Sequence, residues 1–97
     1  MSILMEVLKE ELDRLDRQQK VYERDLQELP KGYISKKNIR GKVCYYLQRR
    51  DGDKVVSKYI SAEELPGLEV QVARRKRLEA SLRRVKEDQK KLRKVIK

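Results

Sequence analysis

Along the first third of the chain, one stripe of mostly apolar positions recurs in alternating steps of four and three: Met1, Met5, Leu8, Leu12, Leu15, Gln19, Tyr22, Leu26 and Leu29. That spacing gathers them on one side of a helix with a repeat of about 3.5 residues. Pro30 and Gly32 end the pattern, so the reading predicts a helix over 3–28. Gln19 interrupts the stripe; it either sets the register of helix pairing or sits at a wet edge.

The period then changes to two. Val43, Tyr45 and Leu47 alternate with Cys44, Tyr46 and Gln48, which is strand spacing. Asp51-Gly52 signals a tight hairpin of type I′, whose central residues both need positive φ. With those two as the loop, Leu47 faces Val56 and Val43 faces Ile60. Arg40-Gly41 reads as an earlier two-residue turn that sets Ile34 opposite Leu47. The segment 32–60 is therefore expected to be a three-stranded antiparallel meander. One face carries Ile34, Val43, Leu47, Val56 and Ile60, with Tyr45 and Lys58 adjacent, and is expected to pack on helices. The other carries Tyr33, Ser35, Lys37, Cys44, Tyr46, Gln48, Val55, Ser57 and Tyr59. A one-residue slip exchanges the two faces.

Ser61 and Glu64 form an S-x-x-E capping box, which predicts a short helical turn over 61–65. Pro66-Gly67 is expected to break or restart it. Leu68, Val72, Leu78, Leu82, Val85, Gln89, Leu92 and Ile96 then give a second stripe and a helix over 68–96. Each long helix spans on the order of 40 Å at 1.5 Å per residue. The expected architecture is α+β, a single small domain over 1–97. Two heptad-patterned helices, arranged as an antiparallel hairpin or coiled coil, flank the meander. A homodimer through the heptad helices is the main competing arrangement.

Composition narrows this further. Charged residues make up 43% of the 97 residues and hydrophobic ones only 38%, with no Trp and no Phe. Burial must come from helix seams and one sheet face rather than a deep core. No apolar run approaches the roughly 20 residues needed to span a bilayer, and residues 1–8 lack the form of a signal peptide. The single Cys44 allows no internal disulfide and fits a reducing, cytoplasmic setting.

The net charge of +10 is unevenly spread. Residues 1–30 carry −3, residues 31–60 carry +7, residues 61–73 carry −3 and residues 74–97 carry +9. An acidic first helix beside a basic last one would offset part of the charge, while the sheet has no such partner. A basic patch of this kind favours a polyanion or an acidic protein surface.

Several chemistries lack their residues. With no His, the common His-based acid–base catalysis and His metal sites are excluded. Cys44 has no partner for metal or nucleophile chemistry and reads as a small strand residue. Gly32, Gly41, Gly52 and Gly67 are isolated turn residues rather than a phosphate loop. Glu10, Glu11, Asp13 and Asp16, interleaved with Arg14 and Arg17, read as a solvated face with local ion pairs. The expectation is a non-enzymatic protein with no metal, no cofactor and no small-molecule substrate.

The string LPKGYISKKNIRGKVCYYLQRRDGDKVVSKYI resembles a pattern in small uncharacterised bacterial and archaeal proteins. There, G-x-I-x-K-K-x-I-x-G-K-x-Y-Y-Y-L precedes R-x-G-x-K-V-x-S-K-Y-I. Gly32, Ile34, Lys36, Lys37, Ile39, Gly41 and Lys42 match its first part, followed by Tyr45, Tyr46 and Leu47. Arg50, Gly52, Lys54, Val55, Ser57, Lys58, Tyr59 and Ile60 match its second part, while Cys44 stands where an aromatic is expected. The resemblance covers the middle third and implies no established activity. The strand order and basic turns also resemble the arm-type DNA-binding domain of tyrosine recombinases, whose G-S-I-x-x-R-x-x-G-K-W-Y pattern packs on one helix. That resemblance implies a sheet in the DNA major groove. This chain lacks the Trp and has much longer helices.

Two functional readings follow. In the first, the sheet binds DNA or RNA. Lys36, Lys37, Arg40, Lys42, Arg49, Arg50, Lys54 and Lys58 would neutralise phosphates. A sheet can enter a major groove, or Tyr33, Tyr46 and Tyr59 can stack on unpaired bases. The bland reading of the same residues is a solvated charged face and tyrosines suited to strand packing. In the second, the chain is a protein-interaction or inhibitor module, with helices that embrace a partner and a sheet that presents a recognition face. A phage or mobile-element protein would fit both.

Overall fold

The four–three stripe of the first third forms α1, Ile3–Gln27, in the computed structural model, which describes residues 2–96. Met1, at the head of that stripe, and Lys97 lie outside the described residues. Ser2 caps α1: its hydroxyl accepts from the Met5 N–H at 3.2 Å. That satisfies one of the donors a helix start leaves open. From Met5 to Leu26 every stripe position is buried or half-buried.

Three strands follow: β1 Tyr33–Ile39, β2 Lys42–Asp51 and β3 Lys54–Ile60. They pair antiparallel in the order β1-β2-β3. Last comes α2, Leu65–Ile96. Two helices flanking a three-stranded antiparallel sheet is the expected α+β arrangement. The chain divides into two compact units, one of Met1–Glu28 with Arg77–Lys97 and one of Leu29–Lys76.

In the first unit, Leu15 and Val85 are the buried apolar residues, at 4% and 6% exposure. Beside them Gln89 is 2% exposed, the most buried polar residue described. Its Nε2 donates to Asp16 Oδ1 at 2.7 Å, and Arg93 lies 3.5 Å from the same oxygen. The polar position held inside the stripes is therefore Gln89, while Gln19 is only half-buried. Asp16, expected on a solvated face, is instead the partner that satisfies it. The rest of that face behaves as expected. Glu11 and Arg14 pair one turn apart, and the guanidinium's hydrogen bond holds the Glu11 carboxyl below its ordinary range.

In the second unit the β1–β2 turn is as expected. Arg40 and Gly41 both have positive φ, at 53° and 77°, and Ile34 sits opposite Leu47. The β2–β3 turn differs. The loop is Gly52-Asp53, so Asp51 pairs with Lys54, and Leu47 faces Lys58 rather than Val56. Val56 instead faces Arg49, and Ile60 faces Tyr45 rather than Val43. The physical reason is local: Gly52 supplies the positive φ, at 65°, as the first loop residue, and Asp53 needs none. A single left-handed residue in that position belongs to the type II′ family rather than type I′. The pairing shifts by two, so both faces keep their members, but the packed end moves. Ile60 is buried at 3%, Ile34, Tyr45 and Leu47 are half-buried, and Val43 and Val56 are exposed.

The chain leaves the sheet through Ser61, whose hydroxyl accepts from the Glu64 N–H at 3.2 Å. That is the hydroxyl half of the expected capping box. The helix then starts at Leu65 rather than 68 and runs unbroken through Pro66 and Gly67. Pro66 falls in the first turn, where its missing N–H would have had no helical partner. Between Val72 and Leu78 the stripe is completed by Arg75, which is half-buried and donates from Nη1 to the Leu29 carbonyl at 3.0 Å.

Gly32 is the tightest backbone approach. Its φ is 112°, and a Cβ there would lie 2.2 Å from the Gln48 carbonyl oxygen on β2. Gly52 has open space around it, so alanine there meets only backbone strain. Gly32→Ala is therefore expected to lose more than the roughly 1–3 kcal/mol of a strained backbone, and Gly52→Ala to stay within it. At about 4–8 °C per kcal/mol for a chain this size, thermal melts monitored by circular dichroism will separate the two. Equal melting points would refute the close approach. For the first unit, Asp16→Ala strands a buried amide and is expected to cost about 1–3 kcal/mol. The same substitution on a Gln89→Leu background should cost far less, which denaturant titration of the double-mutant cycle will measure.

Candidate nucleic-acid interface

The paired registers assign every sheet side chain to a face. Opposite the half-buried Ile34–Tyr45–Ile60 side lies a face carrying Tyr33, Lys37, Lys42, Tyr46, Arg50 and Tyr59, with Gln48 and Ser57 between them. Tyr46 sits directly opposite Tyr59 across β2 and β3. Their ring centroids are 5.8 Å apart at 74°, an edge-to-face pair. The register expected from the sequence would have set Tyr46 against Ser57, so the two-residue shift creates this pair. Lys37 Nζ lies 5.1 Å from the Tyr46 ring centroid, within cation–π range. Tyr46 is half-buried beneath these neighbours, whereas Tyr33 and Tyr59 are each 59% exposed.

The same shift pairs Gln48 with Ser57, and Gln48 Nε2 donates to Ser57 Oγ at 3.2 Å. Neither residue stood out as a site residue in the sequence. The signal was the cross-strand pairing itself, legible only once the loop is placed at Gly52-Asp53.

The eleven expected site residues do not form one surface. Tyr33, Lys37, Lys42, Tyr46, Arg50 and Tyr59 share the tyrosine face. Lys36, Arg49, Lys54 and Lys58 project from the opposite face, and Arg40 lies in the β1–β2 turn. All these lysines and arginines are exposed. Among the described residues none of them is held in an ion pair. The tyrosine face carries no carboxylate at all; the sheet's acidic residues are Asp51 on the opposite face and Asp53 in the turn. Three cations without a counter-charge, set around exposed rings, make a positive aromatic platform.

Cys44 is a free thiol, half-buried opposite Lys37. Among the described residues no group of three carboxylate or thiol side chains converges to hold a metal ion. Among them, too, no helix is long and apolar enough to cross a membrane.

Neither the curated proteins nor the solved structures compared with this chain match it. A family model does match, over residues 8–70, from within α1 to the first turns of α2, and so takes in the whole sheet. The match bears out the resemblance to an uncharacterised family and lends nothing to the one with recombinase arm domains. Covering well over half of the sequence and all three strands, it shows that the chain belongs to the family described as Domain of unknown function (DUF6788).

Proposed function

We propose that this protein is a non-enzymatic nucleic-acid-binding module that works through the tyrosine face of its sheet. The observation that carries this reading is the carboxylate-free platform of Lys37, Lys42 and Arg50 around Tyr33, Tyr46 and Tyr59. Phosphates are attracted to such a surface without sequence preference, and exposed rings offer stacking to any base. The four cations of the opposite face point away from the rings, so they supply long-range attraction rather than contact.

A second reading, protein association, is favoured by a separate observation in the first unit. Ile3, Leu4 and Val7 at the start of α1 are 79%, 68% and 53% exposed. Apolar side chains on adjacent turns suit a partner helix, including that of a second copy.

Both readings have direct tests. Affinity for a nucleic-acid strand should fall with salt, with a log–log slope of about −0.7 per phosphate neutralised. Three contacts predict a slope near −2. Alanine at Lys37, Lys42 and Arg50 should remove most of it, while alanine at Lys36, Arg49 and Lys54 should leave most of it. Absence of binding at about 50 mM salt would defeat the proposal, and equal effects from the two triple variants would defeat the choice of face. For the second reading, light scattering should show a mass that rises with concentration and returns to the monomer value in Leu4→Glu.

A further inference from the structure

The arrangement of rings on the tyrosine face distinguishes among nucleic acids. Tyr33 lies on β1 and Tyr59 on β3, the two outer strands. The cross-strand rows through them are Tyr33–Gln48–Ser57 and Ser35–Tyr46–Tyr59. The two tyrosines are thus two strand spacings apart across the sheet and one two-residue step apart along it. With about 4.8 Å between strands and 3.3 Å per residue, their Cα atoms are on the order of 12 Å apart. Bases in a duplex strand rise only about 3.4 Å. Neighbouring bases of a duplex therefore cannot sit on both rings, whereas a strand with splayed, unpaired bases can.

Tyr46 is not a third platform. Lys37 covers its face and Tyr59 meets it edge-on. Its part is to hold Tyr59 upright and to hold the Lys37 ammonium beside the path between the outer rings. Along that path lie Gln48 and Ser57, already bonded to each other. The Gln48 side-chain oxygen Oε1 still accepts, and the Ser57 hydroxyl still donates. A sugar passing between two stacked bases would meet these groups, and a 2′-hydroxyl both donates and accepts.

We propose that this face takes single-stranded RNA, one base stacked on Tyr33, another on Tyr59, and the sugar between them over Gln48 and Ser57. The inference rests on the nucleic-acid reading above and adds its substrate class. The charge complementarity is the carboxylate-free surface with Lys37 beside the path.

The test uses the full chain and a 12-residue oligouridylate, with the matching deoxy strand and an RNA duplex of equal length as comparisons. The RNA strand should bind most tightly. Tyr33→Ala and Tyr59→Ala should each weaken it about 5- to 150-fold, as expected for the loss of one stacked base. The salt slope should stay unchanged, because no phosphate contact is removed. The chain has five Tyr and no Trp, so quenching of tyrosine emission reports stacking directly. Tyr33→Phe and Tyr59→Phe should keep the affinity and lose part of the quenching, which guards against variants that simply misfold. A duplex bound as tightly as the strand, or alanine variants at wild-type affinity, would overturn the inference while leaving the salt-slope reading intact. Equal affinity for the deoxy strand would overturn the assignment to RNA. No affinity for any of the three would overturn the proposed function itself.

Discussion

Every inter-strand hydrogen bond of the sheet passes through β2, so the register of that one strand decides what each face presents. Two tight turns set it, and each relies on residues in left-handed backbone: Arg40 and Gly41 on one side, Gly52 on the other. Gly32 adds a clamp, because its missing side chain lets the chain entering β1 approach the Gln48 carbonyl. Side chains alternate between faces, so a slip of one residue at either turn would exchange the tyrosine face for the Ile34–Ile60 face. The platform has little burial to hold it in place: residues 49–59 are all exposed. Turn chemistry, rather than a core, is what keeps Tyr46 against Tyr59.

Burial elsewhere is equally sparse, and polar contacts carry a share that apolar packing carries in larger proteins. Leu15, Val85 and Ile60 are the described apolar residues that reach full burial. Long-range hydrogen bonds sit beside the apolar stripes, from Gln89 and Arg93 to Asp16 in one unit and from Arg75 to the Leu29 carbonyl in the other. Each adds little net stability, on the order of 1 kcal/mol. Their directionality matters more, since an apolar stripe alone tolerates sliding while a buried amide with one acceptor does not.

The helices were legible in the sequence because a four–three stripe survives one polar substitution. One stripe position and one polar partner beside the stripes were not. Arg75 falls on the stripe by spacing, yet its charge hides it; its aliphatic stem is compatible with a half-buried place while the guanidinium finds a carbonyl. Asp16 carries no mark that separates it from Glu10 or Asp13; only the position of Gln89 makes it a partner. Pro66 and Gly67 read as breakers in the sequence, yet α2 starts before them, because a proline in the first turn loses no helical bond.

For the platform, the sequence carried the ingredients and the parity of the faces, which a two-residue shift preserves. It did not carry the pairing. An Asp-Gly dipeptide can place its glycine first or second in a two-residue loop, and the two choices differ by two residues in register. Only one of them puts Tyr46 opposite Tyr59 and Gln48 opposite Ser57. The difference is chemical. With the glycine second, tyrosine meets serine and the rings are scattered among hydroxyls. With the glycine first, the rings meet each other, a lysine lies over one of them, and the polar pair is left in a separate row. One backbone dihedral at Gly52 thus separates a dispersed polar surface from an organised one, and any binding role for this sheet depends on it.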